Sequence, residues 1–426
     1  MRILSADWIV PVEGAPIEHG AVAIGDDGRI AAIGAATEIG EGERFDDAVI
    51  LPGFVNAHSH IEYAAYAGFG DGLPFPPWIG LHIQRKSRLE NGEMEAIARL
   101  GAAECLRSGI TTVGDCSFSG VAATACAELG LRAIVYLEVF GEDAGALERF
   151  EDRRATVASA WSDRVRVGIS PHAPYTCTVE LYVACTALGL PLATHLSESE
   201  AELEYLLTGT GPWESLAEYL VPPLGRPAIP ALADAGVLGP STLAAHCVQV
   251  DAEEIALLAA LGVGVAHCPR SNALLGCGTA PLAALREAGV RVAIATDSPA
   301  STPSFDMFDE LRTAVMAARA REKRPDALLT GDALELATLG GARLLGLDRE
   351  IGSLVPGKRA DVTVLSMADS PFLPWEDPVT AIVLGGSADQ IVATLVDGDE
   401  RYRREGEEWH ASTSAARRAR GRMLDV

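Results

Sequence analysis

The ten residues Leu257-Leu-Ala-Ala-Leu-Gly-Val-Gly-Val-Ala266 run from an apolar helical segment through a glycine into a short β-branched segment. Gly262 can adopt the left-handed conformation that ends a helix, and the apolar segment after it is typical of a buried strand. Helices that alternate with such strands through short turns predict parallel βαβ units. The same order recurs at Glu104–Val113, Cys126–Tyr136, Cys185–Thr194 and Leu285–Ala295.

Three further segments, Ala48–Val55, Val165–Ser170 and Ser241–Ala245, bring the predicted strands to eight. The strands lie near residues 53, 112, 135, 168, 193, 244, 265 and 294. Eight parallel strands with intervening helices close into a (β/α)8 TIM barrel, and we predict this α/β fold for residues 51–351. A doubly wound open sheet is the structural alternative, which the count of eight units disfavours.

The two ends of the chain have a different pattern, with short strands and turn residues in place of helix–strand units. We predict that residues 1–50 and 352–426 pair into one small β-sandwich domain formed by both termini. The last stretch, Ala415–Arg422, is rich in arginine and predicts a solvated terminal helix. The predicted strands of this domain include Ala21–Ile24, Ile30–Ile33, Ala360–Leu365, Ala381–Leu384 and Ile391–Val396.

Composition excludes several classes of partner. The net charge of −25 and the pI of about 4.7 repel phosphate backbones and anionic lipids, so we expect neither a nucleic-acid nor a membrane partner. No signal-peptide core follows Met1, and no apolar stretch approaches the roughly 20 residues of a membrane helix. The eight cysteines include no CxxC pair, as is usual in a reduced protein. We therefore expect a cytoplasmic enzyme.

Polar residues that can bind a metal fall at the carboxyl ends of four predicted strands. His58 and His60 end the first strand, where alternate residues point the same way. His195 ends the fifth strand, His246 the sixth, and Asp297 the eighth. Because the carboxyl ends of barrel strands meet at one mouth, these side chains are predicted to converge there.

Neutral imidazoles and one carboxylate suit Zn²⁺, with Fe²⁺ or Mn²⁺ as alternatives. We predict His58, His60, His195 and Asp297 as its ligands. Lysine occurs only at positions 86, 323 and 358, so the fourth strand offers none that could be carboxylated to bridge two metals. The prediction is therefore one metal ion.

Three residues at the same mouth are predicted to move protons. Glu198 follows the metal ligand His195 and could carry the proton of a water molecule to a ring nitrogen. His246 would orient and partly deprotonate that water, and Asp297 would accept the second proton as ammonia leaves. A helix-start acid is the alternative interpretation of Glu198, and it suits Glu200 and Glu202 better.

Two further residues are candidates for substrate binding. His172 lies between Pro171 and Pro174 after the fourth strand, and a rigid loop of this kind suits substrate recognition better than core packing. Trp78 follows a proline-rich break after the first strand and could cover a planar substrate, although a packed loop fits equally well.

Motifs across nearly the whole chain resemble those of the amidohydrolase superfamily, in the aminohydrolase branch of cytosine- and adenosine-type deaminases. That resemblance implies the same four metal ligands and the same proton-transfer roles for Glu198 and His246. It implies a hydrolase that converts an amino-substituted heteroaromatic ring to the oxo form plus ammonia, and it is compatible with a homodimer. The motifs are Leu51–His60, Pro171–Thr176, His195–Glu198, His267–Asn272, Ala295–Pro299 and Gly352–Asp361.

The resemblance also bears on the substrate. His172 and Trp78 are similar to residues of adenosine-type deaminases, which carry a ribose-binding glutamate shortly after the tryptophan. Here Gln84–Arg88 supplies no carboxylate, which disfavours adenosylhomocysteine and methylthioadenosine. Arg85 and Arg270 are instead predicted to bind a substrate carboxylate.

That pattern looks most like aminodeoxyfutalosine deaminases, whose substrate joins an adenine nucleoside to a benzoate. A solvated helix face is the alternative for Arg85, Lys86 and Arg88. Hydrolysis of another C–N or C–Cl bond, on a triazine, pterin or guanine ring, is a second enzymatic hypothesis. A non-catalytic binding relative is a third, and the presence of every expected metal ligand disfavours it.

Overall fold

The computed structural model describes residues 1–90, 92–142, 144–404 and 408–424. Fifteen strands occur in these ranges and are numbered in chain order. They are β1 Arg2–Ile9, β2 Ile17–Ile24, β3 Ile30–Ala35, β4 Glu43–Pro52, β5 Phe54–Ser59, β6 Ile110–Ser117, β7 Arg132–Val139, β8 Val165–Pro171, β9 Leu192–Leu196, β10 Thr242–His246, β11 Gly264–His267, β12 Arg291–Ile294, β13 Val362–Ser366, β14 Ile391–Val396 and β15 Asp399–Arg403.

Strands β5 to β12 form one parallel sheet in which each strand pairs with its neighbours in sequence. The sheet closes where Asn56 exchanges hydrogen bonds of 2.7 and 2.9 Å with Thr296. A parallel bridge between Ser59 and Asp297 continues that seam toward the mouth. The predicted eight-stranded barrel is therefore confirmed, and its first and last strands meet at two predicted metal-binding segments.

The predicted first strand, Ala48–Val55, is in fact two strands in different sheets. Its first half belongs to β4 of the terminal sheet, and its second half begins β5 of the barrel. The break falls at Gly53, where a Cβ atom would lie only 2.1 Å from the Thr111 side chain. The sequence predicted a single strand because the apolar residues on both sides of Gly53 are completely buried and so form one continuous apolar segment.

Both termini contribute to the second sheet, as predicted. Its seven strands form a single mixed sheet in the order β15-β14-β13-β4-β1-β2-β3. Leu4, Ile50, Val362 and Leu395 lie in the hydrophobic core of this sheet. The predicted strand Ala381–Leu384 is wrong, because Pro378–Gly385 is a helix whose first N–H groups donate to the Asp377 carboxylate.

The terminal helix Glu408–Leu424 exists, but it is not simply solvated. Ala416, Ala419 and Met423 are buried, and Arg420 donates to the carbonyl groups of Ala65 and Ala67. The helix therefore packs its apolar face beside the segment that follows β5. The prediction of a solvated helix missed this face because its buried residues are mostly small and are interspersed with arginines.

Within the described ranges, no helix is long and apolar enough to cross a membrane. The α-helices are Ala36–Ile39, Phe75–Lys86, Glu93–Arg107, Val121–Leu129, Ala144–Thr156, Val179–Thr186, Glu200–Thr208, Ala228–Asp234, Ala252–Leu261, Pro269–Leu274, Leu282–Glu287, Met307–Glu322, Thr330–Glu335, Gly341–Leu344, Pro378–Gly385 and Glu408–Leu424. Shorter 3-10 segments are Ile61–Tyr66, Ala158–Ala160, Pro212–Tyr219 and Ala388–Gln390, and Leu336–Gly340 is a π-helix.

A buried ion-pair network joins the barrel to the terminal sheet. Arg132, at the start of β7, makes two hydrogen bonds of 3.1 Å to Asp361 and one of 2.6 Å to Asp397. We expect Arg132→Met to lower the free energy of unfolding by about 3–5 kcal/mol, because it leaves the buried Asp361 carboxylate without its cation, although Asp397 keeps Arg164 and Arg359. Urea unfolding measures the change.

The matched control for that variant is Arg154→Met, which breaks an exposed pair with Glu151. It should change the free energy of unfolding by less than about 1 kcal/mol. Equal stability of the two variants would show that the buried network does not hold the two sheets together.

Candidate metal centre and active site

Four side chains converge at the carboxyl-terminal mouth of the barrel. His58 and His60 come from the end of β5, His195 from β9, and Asp297 from the segment after β12. The Nε2 atoms of His60 and His195 are 3.2 Å apart. Asp297 Oδ1 lies 3.4 Å from the Nε2 atoms of both His58 and His60. All four predicted ligands are therefore brought together around one point.

Hydrogen bonds behind this cluster fix which atom each side chain presents. The Nδ1–H of His195 donates to the carbonyl oxygen of His172 at 2.8 Å, which leaves Nε2 as a lone-pair donor. Ser271 and Ser301 donate to Oδ2 of Asp297 at 2.6 and 2.8 Å. The other oxygen, Oδ1, therefore faces the imidazoles of His58 and His60.

The cluster has the chemistry that a divalent metal ion requires. Nε2 of His58 is buried without a hydrogen-bond partner. Burial and then the neighbouring His58 lower the pKa of His60 to about 3, and burial lowers the pKa of His195 as well. Burial opposes ionisation of Asp297, but the close approach of His58 and of the other imidazoles holds its pKa low. Neutral imidazoles and an ionised carboxylate fit such an ion.

Glu198 and His246 lie beside the four ligands. Glu198 Oε1 is 3.7 Å from His246 Nε2, and burial raises the pKa of Glu198 well above its ordinary value. Glu202 accepts the backbone N–H groups of Ser197 and Glu198 at 2.9 and 2.7 Å, which shapes the turn after β9. His246 Nδ1 lies 3.0 Å from the Asn272 side-chain oxygen, and burial lowers the pKa of His246 to about 4.

The backbone at these residues is strained. Ser197, His246 and Asp297 have φ angles of 50°, 73° and 61°, in the left-handed region that side chains other than glycine rarely adopt. Each sits just beyond or at the end of a barrel strand. Strain of this kind persists where the surrounding structure holds a side chain in one functional orientation.

A cavity of about 530 Å³ opens from this cluster. Most of its wall is aromatic or aliphatic, and few polar groups project into it, as is usual for a small-molecule site. The wall residues other than His60, His195, Glu198, His246 and Asp297 include Tyr63, Phe75, Trp78, Ile79, His82, Ile83, Lys86, Phe118, Glu138, Phe140, His172, Tyr175, Trp213, Leu216, Leu220 and Leu275.

Residues 49–401, which include the four converging ligands, match the sequence pattern of the amidohydrolase family. The chain belongs to the amidohydrolase family. A 5-methylthioadenosine/S-adenosylhomocysteine deaminase of Moorella thermoacetica is 36% identical over 413 residues, which are 93% of each chain. A 5'-deoxyadenosine deaminase of Methanothermobacter thermautotrophicus is 34% identical over 90% of this chain and 89% of its own.

A solved structure shows the same fold over its full length. The crystal structure of a zinc-bound adenosine deaminase from Xanthomonas campestris superposes with a TM-score of 0.88 at 28% identity. The superposition covers 100% of this chain and 98% of the other. The barrel and the terminal sheet are thus shared by a metal-binding relative.

The amidohydrolase cavity includes two of the four predicted substrate-binding residues. Trp78 lies in its wall, with its ring centroid 4.1 Å from that of His82. His172 is also in the wall, and its Nδ1 is 2.9 Å from the Thr176 hydroxyl, so its Nε2 is not engaged by that contact. His82, for which the sequence predicts no role, also lies in the cavity wall.

The other two predicted residues do not line this cavity. Arg85 donates to the Met423 carbonyl of the terminal helix, and its guanidinium lies 5.0 Å from the centre of the Phe69 ring. Arg270 is buried against Glu310, with Nε to Oε1 at 2.6 Å. Both cations bind partners within the protein and are therefore not placed to bind a substrate carboxylate in this cavity.

Two neighbouring basic residues in the last turn of the helix Phe75–Lys86, Arg85 and Lys86, point in different directions. Arg85 points toward the terminal helix, whereas the Lys86 ammonium enters the cavity and donates to the Tyr63 hydroxyl at 3.2 Å. Glu138, in β7, was not singled out in the sequence. Its position near the carboxyl end of a barrel strand was the available signal.

Proposed function

We propose that this amidohydrolase is a metal-dependent hydrolytic deaminase of adenine nucleosides, acting on the 6-amino group of the purine. The observation that carries the proposal is the buried Glu198 carboxyl beside His246, at the edge of the ligand cluster and inside an aromatic cavity. The names of the two relatives and the zinc-bound structure support the same reaction class.

His58, His60, His195 and Asp297 would hold one metal ion, for which we propose Zn²⁺. When bound, such an ion makes water ionise near neutral pH and so supplies the nucleophile. The protein's share of the reaction lies in positioning that water and the purine, and in moving two protons.

Glu198 is the residue that would activate the ring. Because burial raises its pKa, the carboxyl group retains a proton that it can give to ring nitrogen N1. Protonation of N1 draws electrons from C6 and makes that carbon electrophilic. His246, held neutral by burial, is placed to accept a proton from the attacking water.

The reaction balances as one water consumed and one ammonia released. The water oxygen forms a bond to C6, and the bond between C6 and the amino nitrogen then breaks. The ionised Asp297 would first accept the remaining proton of the attacking water and then pass it to the departing amino group, which leaves as ammonia. The proton taken up by His246 would return to Glu198, whose Oε1 lies 3.7 Å from His246 Nε2. Asp297 Oδ2 stays anchored by Ser271 and Ser301, so only Oδ1 faces the reaction.

The cavity wall suits a planar, weakly polar ring. Tyr175 and Trp213 pack with their ring centroids 4.4 Å apart, and Trp78 and Phe75 continue the aromatic surface. Aromatic side chains bind a purine through stacking and apolar contact, which leaves orientation to the few polar groups.

Within this class we propose nucleosides altered at the 5' position, with aminodeoxyfutalosine as one candidate. Two relatives are named for 5'-altered adenosines, and the largely apolar cavity has room for such a substituent. Aminodeoxyfutalosine is a candidate only if Lys86 binds its carboxylate and not the sugar, since neither Arg85 nor Arg270 lines the cavity. That requirement makes the candidates experimentally distinguishable.

The experiment is ammonia release by the zinc-loaded protein. The nucleosides are adenosine, 5'-deoxyadenosine, methylthioadenosine, adenosylhomocysteine and aminodeoxyfutalosine, and guanine and a pterin serve as comparison rings. We expect turnover of at least one adenine nucleoside and little of the comparison rings. Ammonia from guanine or the pterin alone would contradict the proposal, as would no turnover of any nucleoside by metal-loaded protein.

A further inference from the structure

Three charged side chains of the cavity wall have no part in the proposed chemistry: Lys86, Glu138 and Glu218. Of the described wall residues, Lys86 carries the one ammonium or guanidinium group; Glu138 is a buried acid, whereas Glu218 is exposed. None of the three is a predicted metal ligand. In a wall that is otherwise largely apolar, such groups are the ones able to orient a ligand.

The Lys86 ammonium is held in place from two sides. It lies 3.4 Å from the centre of the Phe118 ring and donates to the Tyr63 hydroxyl at 3.2 Å. These contacts fix the amine without neutralising its charge. Among the residues that the structure describes, no ion pair joins Lys86 to a carboxylate.

The Glu138 carboxylate also faces the cavity without a tight partner. The neighbouring acid Glu62 differs, because Ser117 and Ser119 donate to its oxygens. No hydrogen bond to the Glu138 side chain occurs within the described part of the chain, although Arg153 donates to its backbone carbonyl. A buried carboxylate of this kind gains most from a ligand that donates hydrogen bonds.

The positions of these groups around the barrel indicate which part of a nucleoside they would meet. Lys86 follows β5 and Glu138 lies in β7, whereas Glu198 follows β9 and His246 ends β10. The strands that carry them therefore lie on different halves of the barrel, and the Glu138 carboxylate reaches within 4.8 Å of ring nitrogens of His172 and His195. If N1 of the purine faces Glu198, the five-membered ring and the sugar that it carries extend away from Glu198.

We propose that Lys86 and Glu138 form a donor–acceptor subsite for the sugar hydroxyl groups of the nucleoside. The inference rests on the proposed function, since that function supplies the sugar. Glu138 accepts from a hydroxyl group and Lys86 donates to one, so a vicinal diol satisfies both. The pair thereby supplies a carboxylate that the segment Gln84–Arg88 does not contain.

The first test uses unmodified protein and changes only the substrate. We compare kcat/KM for adenosine, 2'-deoxyadenosine and 3'-deoxyadenosine. Loss of a hydroxyl that binds a charged group should lower kcat/KM by about 10- to 100-fold for at least one deoxynucleoside. Equal values for all three would overturn the proposal.

The second test removes the protein partners. Glu138→Gln and Lys86→Met should raise KM for adenosine by about 10-fold or more with a smaller change in kcat. The increase in KM should be smaller for the deoxynucleoside that lacks the contacted hydroxyl group, because that substrate does not make the interaction in the wild type either. The control is Glu148→Gln, at an exposed position on the helix that follows β7. It should leave the ratio of kcat/KM between adenosine and the deoxynucleosides unchanged.

Equilibrium binding of inosine by calorimetry separates this inference from the proposed function. If the wild type deaminates ribosides and neither variant alters the hydroxyl preference, the subsite is wrong and the function stands. If no nucleoside is deaminated but inosine binds in a Glu138-dependent way, the subsite stands and the function is wrong. Absence of both turnover and inosine binding would overturn both. If Glu138→Gln has a lowered melting temperature or metal content, Glu138→Asp takes its place in these measurements.

Discussion

Replacing Glu198 with glutamine should lower kcat by about 10²- to 10⁴-fold while the bound metal is retained. Glutamine preserves the shape of the side chain but cannot give a proton to N1 of the purine. The metal should remain because Glu198 is not among the four converging ligands and lies 3.7 Å from His246, which is outside that set. Single-turnover kinetics with metal analysis on the same sample measure both quantities.

The matched control for Glu198→Gln is Glu200→Gln. Glu200 is an exposed residue in the first turn of the next helix and carries the same charge two positions further along the chain. It should leave kcat unchanged within about twofold. Full activity in the Glu198 variant would show that Glu198 is not the proton donor to N1.

Replacing His58 with alanine should abolish stoichiometric metal binding and, with it, turnover. His58 supplies a buried Nε2 that has no hydrogen-bond partner and lies 3.4 Å from Asp297 Oδ1. Without that donor, the remaining ligands no longer complete the set that a tetrahedral or five-coordinate ion needs. Elemental analysis after dialysis should find close to one metal per chain in the wild type and a small fraction of that in the variant.

His19→Ala is the control for the His58 variant, because His19 is exposed on a strand of the terminal sheet. It should bind as much metal as the wild type. Normal metal content in the His58 variant would place the metal elsewhere, and loss of metal in the His19 variant would point to general damage to the protein.

The barrel and the converging ligands were predictable because both depend on local patterns. A strand that is buried on both faces is continuously apolar, and side chains at its carboxyl end face the mouth. His195, His246 and Asp297 therefore appear in the sequence at strand ends before any contact is known. The roles of these residues in binding and proton transfer stay predictions until the variants are measured.

The direction of a side chain on a helix was not predictable in the same way. Arg85 and Lys86 are neighbours in sequence, yet one contacts the terminal helix and the other enters the cavity. Successive residues of a helix point about 100° apart, so tertiary packing decides which of them faces the site. Met423 of the terminal helix, which accepts from Arg85, lies 338 residues further along the chain.

Arg270 shows a second limit of sequence analysis. It follows β11 near the mouth, but the buried Glu310 on the helix Met307–Glu322 binds its guanidinium. That acid lies 40 residues further along the chain, and nothing local to Arg270 signals the pairing. The expected homodimer likewise depends on contacts beyond a single chain and stays a prediction.

Solvent labelled with heavy oxygen provides the most direct test that water replaces the 6-amino group. Zinc-loaded protein is incubated with the best adenine nucleoside in labelled water, and the product is analysed by mass spectrometry while ammonia is measured in parallel. The predicted result is one labelled oxygen on C6 of the purine for each ammonia released. An unlabelled purine product, or cleavage at another bond without ammonia, would contradict hydrolytic deamination at this site.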